Sequence, residues 1–334
     1  LEIFTLGITT GTTATTYSPG DSVTRLQMAA FLSRSVDGVL KRGNRRAALE
    51  QFWTPQNPFG LGLTPLAASP NMVQSDGGDL WVAGGGTIAR VRGTDGKILE
   101  TWTGATSAFG VLAAAGQIFV TGDTAPGMLY AINPSQPAGG VTTISASLGN
   151  FPIGIAFDGG RIWTANGSGS VSIVSFLLTT VTTGFSSPNG ILYDGTNMWV
   201  TDITPGTLLK LDAAGAILKT VTVGNSPRFP VFDGTNIWVP NATSNSISVV
   251  RASSGVVLST LTGNGQNEPN AAAFDGGRVL VTNVTGSTVS LWKAADLSPL
   301  GSFSTGGASL PYGACSDGTN FWITLQNSSQ LAKF

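Results

Sequence analysis

Few side chains in this 334-residue chain can do chemistry: only 10% of its residues are charged, and it contains no histidine. Without imidazole it lacks the commonest general base and the commonest metal ligand. Cys315 is its single cysteine, so no disulfide forms within the chain, and its setting in a short strand at 313–316 predicts a buried, inert thiol. Four charged residues stand in loops built otherwise of Gly, Asn, Ser, Thr and Pro: Asp123, Asp202, Arg228 and Glu268. Isolated acids and one arginine offer no evident base–nucleophile pair. Calcium held by Asp123, Asp202, Glu268 and neighbouring amide or carbonyl oxygens is chemically possible, but solvated loop acids are the default, and no cofactor or metal is expected. A second group of candidates lies near the N-terminus: Thr24 and Arg25, then the basic cluster Lys41, Arg42, Arg45 and Arg46.

The loops belong to a repeat. Seven times, at intervals of 36 to 44 residues, an apolar strand runs into a tight turn and an aromatic strand, as in Ile155–Trp163, Ile191–Trp199 and Val231–Trp238. The turns start at Asp76, Ala114, Asp158, Asp194, Asp233, Asp275 and Asp317; five residues on come Trp81, Phe119, Trp163, Trp199, Trp238, Leu280 and Trp322. A fixed period containing only strand signals predicts a radial or stacked β architecture. Each repeat reads as four strands. In the fourth repeat, strand a (Gly190–Tyr193) enters an Asp-Gly hairpin, which needs positive φ. Strand b (Trp199–Thr201), strand c (Leu208–Leu211) and strand d (Ile217–Val223) follow. The large strand-b residue is expected between neighbouring blades as core. The last repeat stops after strand c, and Ala48–Trp53 is similar to the strand d around Ile98–Trp102, so an N-terminal strand there is expected to close the ring and leave no long free edge.

The N-terminal 46 residues differ. Thr24 and Gln27 form a capping box, and Met28, Phe31, Leu32, Val36, Val39 and Leu40 make one apolar helix face. The stretch from Tyr17-Ser18-Pro19-Gly20 through Val23-Thr24-Arg25 to Phe31-Leu32 resembles an S-layer homology motif. That resemblance implies attachment to cell-wall polymers with Thr24 and Arg25 near the ligand; a structural appendage packed on the propeller is the alternative. Residues 1–46 are therefore assigned to a helical segment and 47–334 to a propeller.

The segments Trp199-Val200-Thr201-Asp202, Leu280-Val281-Thr282-Asn283 and Trp163-Thr164-Ala165-Asn166 resemble YVTN-type repeats, related to the NHL and virginiamycin-B-lyase-like propellers. The resemblance implies an all-β, seven-bladed propeller with ligands entering at the face of the b–c and d–a loops. It also implies a catalytic histidine in the lyases of that group, which this chain cannot supply. On that face Asn166, Asn241, Asn283 and Asn327 open N-x-S/T sequons, read as surface sites if the host glycosylates.

A net charge of −1 provides little long-range repulsion between copies and no basic footprint for nucleic acid. No apolar run is long enough to span a membrane. The chain begins at Leu1, which fits a secreted mature form. The leading expectation is a non-enzymatic extracellular or cell-surface structural protein, self-assembling or attached to an envelope polymer. The second is a propeller binding a glycan or peptide near Arg228 and Asp202, and the third a metal-dependent lyase or lactonase.

Overall fold

The computed structural model describes residues 62–175 and 177–334. The candidates Thr24, Arg25, Lys41, Arg42, Arg45 and Arg46, and the strand expected at 48–53, lie outside the described residues. The described chain forms 28 strands, β1–β28 in order, arranged as seven four-stranded antiparallel sheets. This is the seven-bladed propeller that the repeat predicts. The described residues contain no helix long and apolar enough to cross a membrane.

Blade 4 is representative, with strands Pro188–Tyr193, Met198–Asp202, Thr207–Leu211 and Ile217–Thr222 in a simple meander. Ring closure departs from expectation in its strand. The seventh blade takes its outer strand from β1 (Gly62–Pro65), which pairs antiparallel with β28 (Gln330–Lys333) from Gly62↔Lys333 to Pro65↔Gln330. From Pro65 the chain reaches the next inner strand, β2 (Val73–Ser75), by a short return like those between other blades. A strand at 48–53 would need a far longer one, so its likeness to the segment around Trp102 misplaced the closure.

The core lies in the seams. Seven apolar clusters are present, one between each pair of neighbouring blades, and each contains the large strand-b residue of one blade or packs it at its rim. Trp81, Trp163, Trp199, Trp238 and Trp322 are fully buried there. Burying a side chain of that size removes more apolar surface from water than any other choice. Cys315 is buried in the seam between blades 7 and 1, and burial pushes its thiol pKa up, as its strand setting predicts.

The Asp-Gly turns do more than reverse the chain. Gly159, Gly195 and Gly234 have φ of 96°, 92° and 95°, the positive values expected of them. The aspartate itself is a staple. One oxygen of Asp158 accepts the amides of Gly160 and Arg161 at 2.9 and 2.7 Å; the other accepts the Trp163 indole N–H at 2.8 Å. The indole bond recurs from Trp81 to Asp76, Trp199 to Asp194, Trp238 to Asp233 and Trp322 to Asp317. Where the tryptophan is absent the repeat compensates. In blade 6, beside Leu280, the Arg278 Nε–H takes the free oxygen of Asp275 at 2.7 Å. In blade 2 both partners change together, to Ala114 and Phe119, leaving neither an indole donor nor a carboxylate. A buried indole N–H without an acceptor costs about 1–3 kcal/mol, which accounts for the pairing of the two positions.

Candidate functional site

In six of the seven blades the inner segment enters at one register. Pro152, Pro188, Pro269 and Pro311 pair with Asn166, Asp202, Asn283 and Leu325, the last residues of their strands b. Ala108 pairs in the same way with Gly122, and Pro227 with Asn241. Proline is tolerated at a strand's first residue because its missing N–H leaves no ladder bond unmade. The residue after it then occupies one position per blade: Phe109, Ile153, Asn189, Arg228, Asn270 and Tyr312, with Asn71 after Pro70 in blade 1. These seven form a ring around the mouth of the central channel.

The threonine of the Val-Thr dipeptide fixes this ring. Thr201 accepts the Gly190 amide of its own blade at 2.8 Å and donates to the Arg228 carbonyl of the next at 2.8 Å. Thr282 does the same between Ala271 and the Tyr312 carbonyl at 3.0 and 2.9 Å, and Thr324 between Gly313 and the Asn71 carbonyl at 2.7 and 2.7 Å. One hydroxyl thus spans two blades. Asn71 and Asn270 add a further tie, donating their side-chain amides to the Ala108 and Tyr312 carbonyls of the next blades at 2.9 and 3.0 Å.

Three rings close the axis beneath the mouth. Phe109, Phe229 and Tyr312 come from blades 2, 5 and 7, which are not neighbours and can meet only at the centre. Their centroids are 6.0 to 6.3 Å apart, with Tyr312 edge-on to both phenylalanines, within the range of favourable aromatic contacts. Below this plug lies a cavity of about 560 Å³, bordered by the inner strands of all seven blades.

Of the four loop candidates, the structure brings three to the mouth and assigns the fourth elsewhere. Asp123, Arg228 and Glu268 all act electrostatically on the Tyr312 hydroxyl. Its pKa is raised first by burial; Arg228 pulls it down and the two acids push it up. Asp202 is fully buried, and its two oxygens accept the amides of Ser186 and Ser187 at 2.8 and 2.6 Å. It staples the return into blade 4, so the expected ligand role near Arg228 is not available to it. Among the described residues no three acids or thiols gather as metal ligands, and with Asp202 consumed the calcium alternative has no shared site.

The mouth leaves polar atoms unpaired. Asn189, only 2% exposed, has no partner for its Oδ1. Arg228 Nε and Asp123 Oδ1 are likewise buried and unbonded. Burial alone raises the Asp123 pKa, because no donor offsets the lost solvation. Glu268 differs: its carboxylate accepts the Thr285 hydroxyl, and its own amide donates to Asn245 Oδ1 at 2.7 Å. Sequence reasoning found Arg228, Asp123 and Glu268 by their charge but missed Asn189 and the aromatic plug. The signal for both was present in the repeated dipeptide after which each ring residue falls: Pro-Asn-Gly at 188–190 and Pro-Tyr-Gly at 311–313.

Three of the four sequon asparagines are a correction. Asn166, Asn241 and Asn283 are fully buried. Each donates its side-chain amide to two hydroxyls of strand c: Ser170 and Ser172 at 3.0 and 3.0 Å, Ser246 and Ser248 at 3.2 and 3.0 Å, Thr288 and Ser290 at 3.2 and 2.7 Å. The asparagine that ends strand b, after Thr-Ala, Val-Pro or Val-Thr, therefore pins the b–c loop, and a glycan there would break the blade. Only Asn327 is exposed.

Comparison with solved structures places the fold. A catalytically inactive virginiamycin B lyase from Staphylococcus aureus, solved with quinupristin, superposes with a TM-score of 0.70 at 16% identity, covering 82% of this chain and 98% of the lyase. The WD40 β-propeller domain of Doa1 gives 0.68 at 13% identity over 81% and 94% of the two chains. Kuenenia stuttgartiensis hydrazine synthase gives 0.66 at 13% identity over 81% and 97%. No protein-family model and no curated protein sequence matches the chain. At these identities the likeness is one of fold, shared by proteins of unlike activity.

Proposed function

We propose that this chain is a non-enzymatic propeller of the cell exterior that binds a glycan at the channel mouth. The observation that carries the reading is the set of buried, unpaired polar atoms there, Asn189 Oδ1, Arg228 Nε and Asp123 Oδ1, above a floor of three aromatic rings. Buried polar groups in native proteins are nearly always bonded, and three of the ten unpaired ones among the described residues belong to this concave mouth. Acceptors and a donor on one rim suit the hydroxyls of a sugar, each of which both donates and accepts, and the rings suit its C–H face. An enzyme is the less favoured reading: the mouth has two carboxylates and an arginine, and its one hydroxyl bonded to a carboxylate, Thr285 on Glu268, is exposed and has no histidine to assist it. A glycan array on the purified chain, followed by thermal shift with the hits, tests the reading. A rise in Tm with a hit, abolished in Asn189→Ala, is expected; hits whose binding survives that change and Tyr312→Ala would sink the mouth as the site.

A second reading, self-association, has its own support. The outer strands β9 (Thr142–Leu148), β13 (Leu178–Val181), β21 (Val256–Thr262) and β25 (Pro299–Ser304) carry no charged residue. On β21, Val256 and Leu258 are 52% and 41% exposed. Soluble propellers usually guard such edges with charge, so copies of this chain can pair there, alongside attachment to an envelope polymer through the S-layer-like segment at 1–46. Sedimentation at rising concentration decides it: oligomers that Val257→Lys dissolves would support edge pairing, and a monomer throughout would end it.

A further inference from the structure

We propose that the glycan taken at the mouth is acidic, carrying a carboxylate of the uronic-acid type, and that Arg228 receives this carboxylate. The inference rests on the glycan reading and adds its charge. Four of the other five described arginines are neutralised within the fold, Arg90 by Asp79, Arg92 by Asp95, Arg161 by Asp158 and Arg278 by Asp275, at 2.7 to 3.0 Å, and the fifth, Arg251, is exposed to water. Arg228 is half-buried, sits at the axis and makes no ion pair among the described residues. The acid nearest it in sequence pattern, Asp202 at the end of strand b in the preceding blade, is spent on two backbone amides. Desolvating a guanidinium with no carboxylate at ion-pair distance is unfavourable, and a ligand carboxylate at Arg228 would relieve that cost.

The backbone of Arg228 is held as firmly as that of a binding residue needs to be. Its amide donates to the Pro240 carbonyl at 2.8 Å, and its own carbonyl accepts the Thr201 hydroxyl at 2.8 Å. Asn189 is its neighbour in the ring: a Cβ placed on Gly190 would lie 2.6 Å from the Arg228 carbonyl oxygen, so the two strands touch. Arg228 Nε is a donor and Asn189 Oδ1 an acceptor at neighbouring ring positions, and neither has a hydrogen-bond partner among the described residues. A carboxylate next to a ring hydroxyl answers both at once: guanidinium grips carboxylate oxygens in a planar fork, and the amide oxygen accepts from the hydroxyl. Phe229 follows Arg228 in the chain, and its ring lies 6.3 Å from that of Phe109 in the plug.

The flanking acids argue for carboxylate over a phosphate monoester. Asp123 and Glu268 share the mouth with Arg228, so a compact, doubly charged group meets two like charges for one opposite charge. A single carboxylate on an otherwise neutral, hydroxylated ring places one charge at Arg228 and hydroxyl donors at the acids.

The test uses the full chain with oligogalacturonate of four to six sugars, the matching neutral galacto-oligosaccharides, and inorganic phosphate as competitor. Calorimetry is expected to show oligogalacturonate bound at least ten-fold more tightly than the neutral series, with affinity falling as salt rises. Arg228→Gln is expected to remove that preference, Arg228→Lys to retain part of it, and Arg251→Gln, an exposed arginine on a distant strand end, to leave it intact. Lys at 228 keeps the charge and serves as the folded comparison if the Gln variant is unstable. Equal binding of neutral and acidic sugars, unaltered in Arg228→Gln, would overturn the inference and leave the glycan reading standing. Phosphate competing as well as free galacturonate would overturn the choice of carboxylate. Failure of every sugar to bind the wild-type chain would remove the glycan reading itself.

Discussion

On the hairpin face of the ring, Asp158 accepts two backbone amides, an indole and a guanidinium. On the mouth face, Asp123 keeps a buried oxygen that nothing bonds. The pKa values of the two regions move in opposite directions. Burial alone raises the carboxyls of Asp76, Asp158 and Asp317, but the amide and indole hydrogen bonds overcome it and hold them below the ordinary value. Asp123 feels the burial without the bonds and is raised. Cations complete the hairpin side: Arg90, Arg161, Lys210 and Lys333 each lie over a seam tryptophan at 5.1 to 5.4 Å. A polar group that is saturated within the fold contributes to stability; one left unsaturated in a mouth is available to a ligand.

The comparison is broken most severely at Trp199. Trp199→Ala empties the seam between blades 4 and 5 and strands the Asp194 oxygen that the indole now fills. A loss of about 3–5 kcal/mol is expected, read from the urea midpoint. Tyr312→Ala, which also removes a large aromatic but from the half-exposed plug, is expected to cost well under half of that. If the two changes cost the same, the mouth is as much a structural element as the seams.

Asp317→Asn comes next. The amide oxygen can still accept from Thr319 and Asn320, but its nitrogen would face the Trp322 indole donor. About 2 kcal/mol is the expected cost. The same staple sets a pH window. Because the folded pKa values of Asp76, Asp158 and Asp317 lie below those of the unfolded chain, their stabilisation is complete above the unfolded value, about 3.9, and is lost as pH falls below it through the folded values. Thermal midpoints followed down from pH 6 are expected to fall below about pH 4, and less steeply in Asp317→Asn than in the wild type. An equal slope in both would show that the staple is not what acid undoes.

Much of this was legible in the residues. The period, the turn aspartates and the strand-b aromatics identified seven blades and placed Trp163 or Trp322 in a seam before any coordinate was known, since few other arrangements bury a tryptophan every 40 residues or so. The closing strand was misplaced to 48–53 because short β sequences look alike, whereas the register of Gly62–Pro65 against Gln330–Lys333 depends on contacts across the whole chain. The mouth was half-legible. Charge points to Asp123 and Arg228, which the fold brings near Tyr312, and equally to Asp202, whose carboxylate turns inward to backbone amides that no local pattern reveals. The sequon asparagines misled for the same reason: an Asn-x-Ser motif reads as surface until Ser172 or Ser248 is seen to face it.

The smallest expected effect is the one that sharpens the contrast best. Asp123 has a folded pKa above its unfolded value, so its linkage has the opposite sign to that of Asp317. Its favourable contribution is present below the unfolded pKa and is lost as pH rises through the folded one; at neutral pH its ionised form weighs against the native state. Asp123→Asn removes that charge while keeping the shape. The variant is expected to be slightly more stable than the wild type at pH 7, with the gain vanishing as pH falls toward the carboxyl range. The same change on the hairpin face, Asp317→Asn, loses stability at pH 7. Stability held back at Asp123 is what a binding mouth requires of a polar group kept for a ligand, so the stabilised variant is also expected to bind the glycan less tightly. A stabilised variant with undiminished affinity would detach Asp123 from the mouth's function and leave Asn189 and Arg228 to account for it.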